Sequence, residues 1–102
     1  MHLIEIFLPL SDNGGQPIAP SLFRDVEEEL LERFGGVTAH ARAPAHGLWD
    51  DEARSPVADD LVILEVMTDR LDREFWSAFR ARMEAEFRQD VILIRAARVE
   101  QL

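Results

Sequence analysis

His40 and Glu65 are the residues whose types best suit proton transfer, and Arg42 and Arg95 are the ones best suited to hold an anion. A histidine beside a carboxylate can act as a general base near neutral pH, with the carboxylate fixing the ring. An arginine fork recognises carboxylate or phosphate through parallel hydrogen bonds. The competing reading is structural. A single strand histidine is more often a hydrogen-bonded fixture, and an exposed ion pair contributes only about 0–1 kcal/mol. Other chemistries find less support. His46, Asp50 and Asp51 match no established metal-ligand spacing, and no second histidine lies at helical spacing, so no metal site is expected. Asn13-Gly14-Gly15 reads as a turn, because the phosphate-loop pattern and its lysine are missing. No Gly-x-Ser-x-Gly elbow is present, and no motif calls for a cofactor.

Composition narrows the classes further. The sequence has 102 residues, enough for one domain spanning 1–102, and 47% of them are hydrophobic, enough for one core. The net charge is −9. Such a chain repels nucleic acid and acidic membrane surfaces, so neither is expected as a partner. Cysteine is absent, which removes disulfides, thiol catalysis and cysteine-ligated metals. Lysine is absent too, which removes Schiff-base chemistry. The opening "MHLIEIFLPL" reads as a first strand, not a signal peptide, and no apolar stretch is long enough to span a bilayer. A cytoplasmic location is the expectation.

The elements that position these residues follow from periodicity. Residues 2–8, 37–43, 61–67 and 91–99 read as strands, rich in branched side chains or alternating in polarity. A helix is predicted from Ser21 to Phe34. Ser21 is its expected cap, Asp25, Glu27 and Glu28 suit its first turns, and Gly35-Gly36 ends it. A second helix is predicted from Asp69 or Asp72 to Arg88, with Trp76, Phe79, Met83 and Phe87 on its buried stripe. The order βαββαβ predicts a ferredoxin-like α+β fold. Its four strands form one antiparallel sheet in the order 4-1-3-2, and both helices lie on one face.

Alternation along the strands assigns two faces. The helix-covered set is Ile4, Ile6 and Leu8; Val37, Ala39 and Ala41; Val62, Leu64 and Val66; and Ile92, Ile94 and Ala96. The alanines would leave room for the helical aromatics. The open set includes Glu5, Phe7, His40, Arg42, Ile63, Glu65, Met67, Leu93 and Arg95. The order predicts Arg95 beside Glu5 and His40 beside Glu65. Phe7, Ile63, Met67 and Leu93 make that face too apolar for a lone monomer, and a second subunit is the simplest cover.

Two connections, 9–20 and 44–60, are longer than usual, and long ordered loops often carry function. The fold would bring them together with the turn at Arg88, Gln89 and Asp90. Trp49 can anchor its loop to the core or stack on a ligand. Gln89 can tie loop backbones together or bind a substrate, and the first role is favoured. On the outer surface, Glu29 and Arg33 stand at i,i+4 and suit a helical ion pair. Arg73, Arg80 and Arg82 form a modest basic patch on helix two.

"RFGGVTAHARAPAHGLW" and "FRQDVILIR" resemble segments of small bacterial proteins of unknown function. In these a helix ends at Phe-Gly, a "GVTA"-like strand follows, and then a Gly-x-Trp loop and a Phe-x-Gln-x-Val-like close. Phe34, Gly36, Thr38, Gly47, Trp49, Phe87, Gln89 and Val91 carry the likeness, across most of 33–95. The resemblance implies a ferredoxin-like α+β fold and transfers no catalytic residue. In topology alone, the expected fold also resembles the dimeric α/β-barrel group, which includes cofactor-independent oxygenases and isomerases.

Two functional expectations result. One is a non-catalytic, self-associating domain, a homodimer with Phe7, Ile63 and Leu93 in its interface. The other is a small-molecule binder or cofactor-independent enzyme acting on an anionic substrate. Its pocket would lie between the open sheet face and the Trp49 loop. His40 would be its base, oriented by Glu65, with Arg42, Arg95, Trp49, Glu5, Gln89 and Asn13 around the ligand.

Overall fold

A computed structural model describes residues 1–42 and 61–102. The elements are β1 (His2–Pro9), α1 (Pro20–Phe34), β2 (Thr38–Arg42), β3 (Leu61–Thr68), α2 (Arg73–Glu86) and β4 (Ile94–Arg98). The strands form one antiparallel sheet in the order β2-β3-β1-β4, which counted from the β4 edge runs 4-1-3-2. β1 and β3 are the central strands. Ile4, Ile6 and Leu8 stand opposite Val66, Leu64 and Val62, so their branched side chains form one continuous apolar surface.

Both helices close over that surface. Phe23, Val26 and Leu30 of α1 and Trp76, Phe79 and Met83 of α2 share a single core with Ile4, Ile6, Leu8, Leu64 and Val66. Phe87 and Ile92 complete it, and the Phe87 ring meets the edge of Phe23 at 5.2 Å. At the other end Phe34 stacks on Trp76 at 5.3 Å, and the Arg33 guanidinium lies 3.8 Å over the Phe75 ring.

Several local expectations are corrected. α1 begins at Pro20, not Ser21, with Ala19 at its cap and no side-chain cap. Proline suits the first helical turn because its missing N–H has no partner there anyway. Asp25, Glu27 and Glu28 lie beyond that turn, which contains no acidic residue. Glu29 does not pair with Arg33. It accepts a hydrogen bond from Arg82 of α2, and Arg33 instead lies 3.7 Å from Asp72. β4 begins at Ile94, not residue 91, because the Ile92 N–H donates to the Glu84 carboxylate and not to a neighbouring strand. Ala39 and Ala41 are on the expected face but exposed, because the helical core is built on β1 and β3.

The helix ends depend on specific residues. Asp72 caps α2 by accepting from the Phe75 N–H at 3.0 Å. Gly35 ends α1 at φ 80° in the left-handed region, and its N–H bonds the Leu31 carbonyl. α2 ends with the same geometry on a non-glycine residue, Arg88 at φ 53°. The Gln89 N–H reaches the Glu84 carbonyl and the Arg88 N–H reaches that of Ala85, which is the Schellman pattern.

Candidate functional site

On the face away from the helices the register aligns Thr38, Glu65, Glu5 and Arg95 in one row across all four strands. Glu5 and Glu65 are directly opposite one another, an arrangement that is unfavourable for two unpaired carboxylates. Each has a partner on its outer side. Arg95 Nε donates to Glu5 Oε1 at 2.7 Å, and His40 Nε2 lies 3.0 Å from Glu65 Oε1. His40 reaches Glu65 diagonally, since its own partner across the ladder is Ile63. The carboxylates are the sheltered members. Glu5 and Glu65 side chains are 19% and 26% exposed, against 60% for Arg95 and 50% for His40. The row therefore presents the guanidinium of Arg95 and the imidazole of His40 outward over carboxylates held at the sheet.

Chemically, the His40–Glu65 contact can orient the imidazole of this half-exposed histidine. Arg95 is less available for an anion than its sequence position suggests. Glu5 already offsets its charge, and its guanidinium lies 5.0 Å over the Phe7 ring. Arg42 ends β2 opposite Leu61. The apolar part of this face also differs from expectation. Met67 and Leu93 are exposed, but Phe7 is half-buried and Ile63 is buried.

Asn13 and Gln89 lie away from that row, at the junction of the β1–α1 loop with the turn after α2. Asp12 organises the loop by accepting from the N–H groups of Gly14 and Gln16, both at 2.9 Å. The Asn13 N–H donates to the Arg88 carbonyl, and the Gln89 amide donates to the carbonyls of Ser11 and Phe87. Gln89 thus fastens the β1–α1 loop to the end of α2, whereas the sequence pointed to the Trp49 loop as its partner, which lies outside the described residues. A cavity of about 440 Å³ opens beside them, lined by Asp12, Asn13, Gly14, Glu84, Arg88 and Gln89 among others. Trp49, His46, Asp50 and Asp51 lie outside the described residues, so the meeting of the Trp49 loop with this junction does too.

Other cavities lined by described residues were not foreseen. One of about 680 Å³ lies between the end of α1 and the start of α2, and Arg33, Phe34, Leu71, Arg73 and Trp76 are among its walls. A smaller one, of about 330 Å³, lies between α2 and the β4 edge. Neither feature has a local sequence signature, because each depends on how α2 sits against elements distant in the chain. Among the described residues no cluster of histidines and carboxylates is arranged to hold a metal, and no helix is long and apolar enough to cross a membrane. The guanidinium of Arg82 is held above its ordinary pKa, chiefly by its hydrogen bond to Glu29.

No protein-family model matches the sequence, and no curated protein or solved structure matches the chain.

Proposed function

We propose that this chain is a ferredoxin-like binding domain, akin to the small bacterial proteins its sequence resembles, that self-associates through the open face of its sheet. The observation that supports this reading is the combination on that face of exposed Met67 and Leu93 with the paired row His40–Glu65 and Glu5–Arg95. The apolar groups supply a driving force for association, and the internal pairing of the charges lowers the cost of covering them. Inserting charge tests the surface. Met67→Glu and Leu93→Glu should each shift the eluting species to smaller size in gel filtration while leaving the far-ultraviolet circular dichroism unchanged. Unaltered elution of both variants would remove this face from the interface.

A second reading rests on the 3.0 Å contact between Glu65 and half-exposed His40. In it the open face binds a small anionic molecule, with His40 as general base. A thermal-shift screen of carboxylates and phosphates tests it, since a ligand of the native state raises the midpoint. A stabilising compound whose effect disappears in His40→Ala supports it. A screen without any stabilising compound, or one whose compound acts equally on the variant, contradicts it.

A further inference from the structure

The cavity between α2 and β4 differs in charge from the rest of the molecule. Its floor is Ile4, Leu71, Trp76, Ile94 and Ala96, and its rim carries Arg73 and Arg80; Arg95 also borders it, but its guanidinium is bonded to Glu5 on the open face, and no carboxylate is among the lining residues. In a chain of net charge −9, two arginines beside an apolar floor form a local reversal of sign. Arg73 and Arg80 have no ion-pair partner among the described residues, and they lie on one side of α2 together with Trp76 and Ser77.

This cavity runs along a strand edge that no other strand pairs with among the described residues. The Phe7 N–H bonds the Leu93 carbonyl, and the Val99 N–H bonds the Met1 carbonyl. With the β1–β4 register, these bonds fix the parity of the ladder: Leu93, Arg95, Ala97 and Val99 face β1. The N–H and C=O groups of Ile94, Ala96 and Arg98 therefore point away from the sheet. Ala96, Ala97 and Arg98 are exposed. The same alternation that turns these backbone groups outward sends the Ile94 and Ala96 side chains toward the α2 cavity.

We propose that β4 accepts an extended acidic segment of another protein as a fifth strand, with apolar side chains entering the α2–β4 cavity and carboxylates meeting the arginine rim. The outward backbone groups in series select a strand, because a small anion cannot pair with them in turn. The charge selects an acidic one. It also disfavours a second copy of this chain at this edge, since pairing β4 with itself would bring the Arg73 and Arg80 side of α2 from both copies together. Edge arginines by themselves serve to discourage strand addition. Here they stand beside an unfilled apolar cavity, which makes them selective for a partner of opposite charge. This surface is separate from the open face, so it stands or falls independently of the self-association reading.

The test uses the whole chain, isotope-labelled, and a short synthetic peptide alternating glutamate and valine, with a lysine–valine peptide as its counterpart. The acidic peptide should shift the amide signals of Ile94, Ala96 and Arg98 and slow their hydrogen exchange, and the lysine peptide should not. Charge reversal in Arg73→Glu with Arg80→Glu should weaken binding by roughly tenfold or more. Ala96→Pro, which deletes one outward donor and no β1 bond, should weaken it as well. No binding by the acidic peptide, or signal changes confined to the open face, would overturn the proposal. So would equal binding of the lysine peptide or unchanged affinity in the double arginine variant. Octanoate reproducing the same shifts and displacing the peptide would assign the cavity to a small apolar anion instead.

Discussion

Arg88 holds a backbone angle that an L-residue with a full side chain adopts at a cost of about 1–2 kcal/mol. Its 3.5 Å contact with Asp12 is largely exposed on the arginine side and offsets only part of this. Arg88→Gly is therefore expected to stabilise the chain by about 0.5–1 kcal/mol in urea denaturation. A destabilised variant would mean that the Asp12 contact outweighs the strain. Asp12 itself should be costly to remove. Its side chain is 8% exposed and satisfies two backbone donors, so Asp12→Ala should lose about 1–3 kcal/mol by the same measurement. Little of this was legible beforehand. Asn-Gly-Gly announced a turn at 13–15, but nothing local showed that Asp12 would organise it. That Gln89 bonds loop backbone follows from its place just past a helix end, but its partner Ser11 was not legible, because the sequence pointed to the Trp49 loop. The partners of Glu29 and Arg33 were not, since interhelical geometry overrode the i,i+4 spacing.

The elements themselves were legible to within a few residues, because periodicity reports which face of each is buried. Phe23, Val26 and Leu30, and Trp76, Phe79 and Met83, all fall in the core as their spacing implies. One boundary and one burial departed from expectation for reasons outside the local pattern. β4 starts late because Glu84, in the last turn of α2, captures the Ile92 N–H. β2 leaves Ala39 and Ala41 exposed because the helical core is built on the two central strands. The packing of α2 gives the sharpest test at this scale. Met83 is fully buried, so Met83→Ala should cost about 2–5 kcal/mol in thermal or chemical denaturation. A loss under 1 kcal/mol would mean that α2 is not seated on β1 and β3 as described.

For the whole molecule, the pairing of charges across the open face constrains how two copies can meet. Rotating one sheet onto another about a twofold axis through the Glu5–Glu65 row would set Arg95 and His40 against the same groups of the other copy and desolvate both carboxylates. The axis is therefore expected away from that row, nearer Phe7, Ile63 and Leu93. Two subunits of net charge −9 also repel at long range. Raising the ionic strength from low to physiological should then tighten the association in sedimentation experiments, because salt screens that repulsion and leaves apolar burial intact. Weakening with salt would show instead that intersubunit ion pairs hold the assembly. The open face could be named from strand alternation alone. The shielding of Ile63 and Phe7 could not, because burial on that face depends on contacts between distant segments.

The most direct measurement is the absolute mass of the native chain by light scattering at micromolar concentration. Association through the open sheet face requires a species of twice the 11.7 kDa chain mass. A mass of 11.7 kDa throughout that range would contradict it.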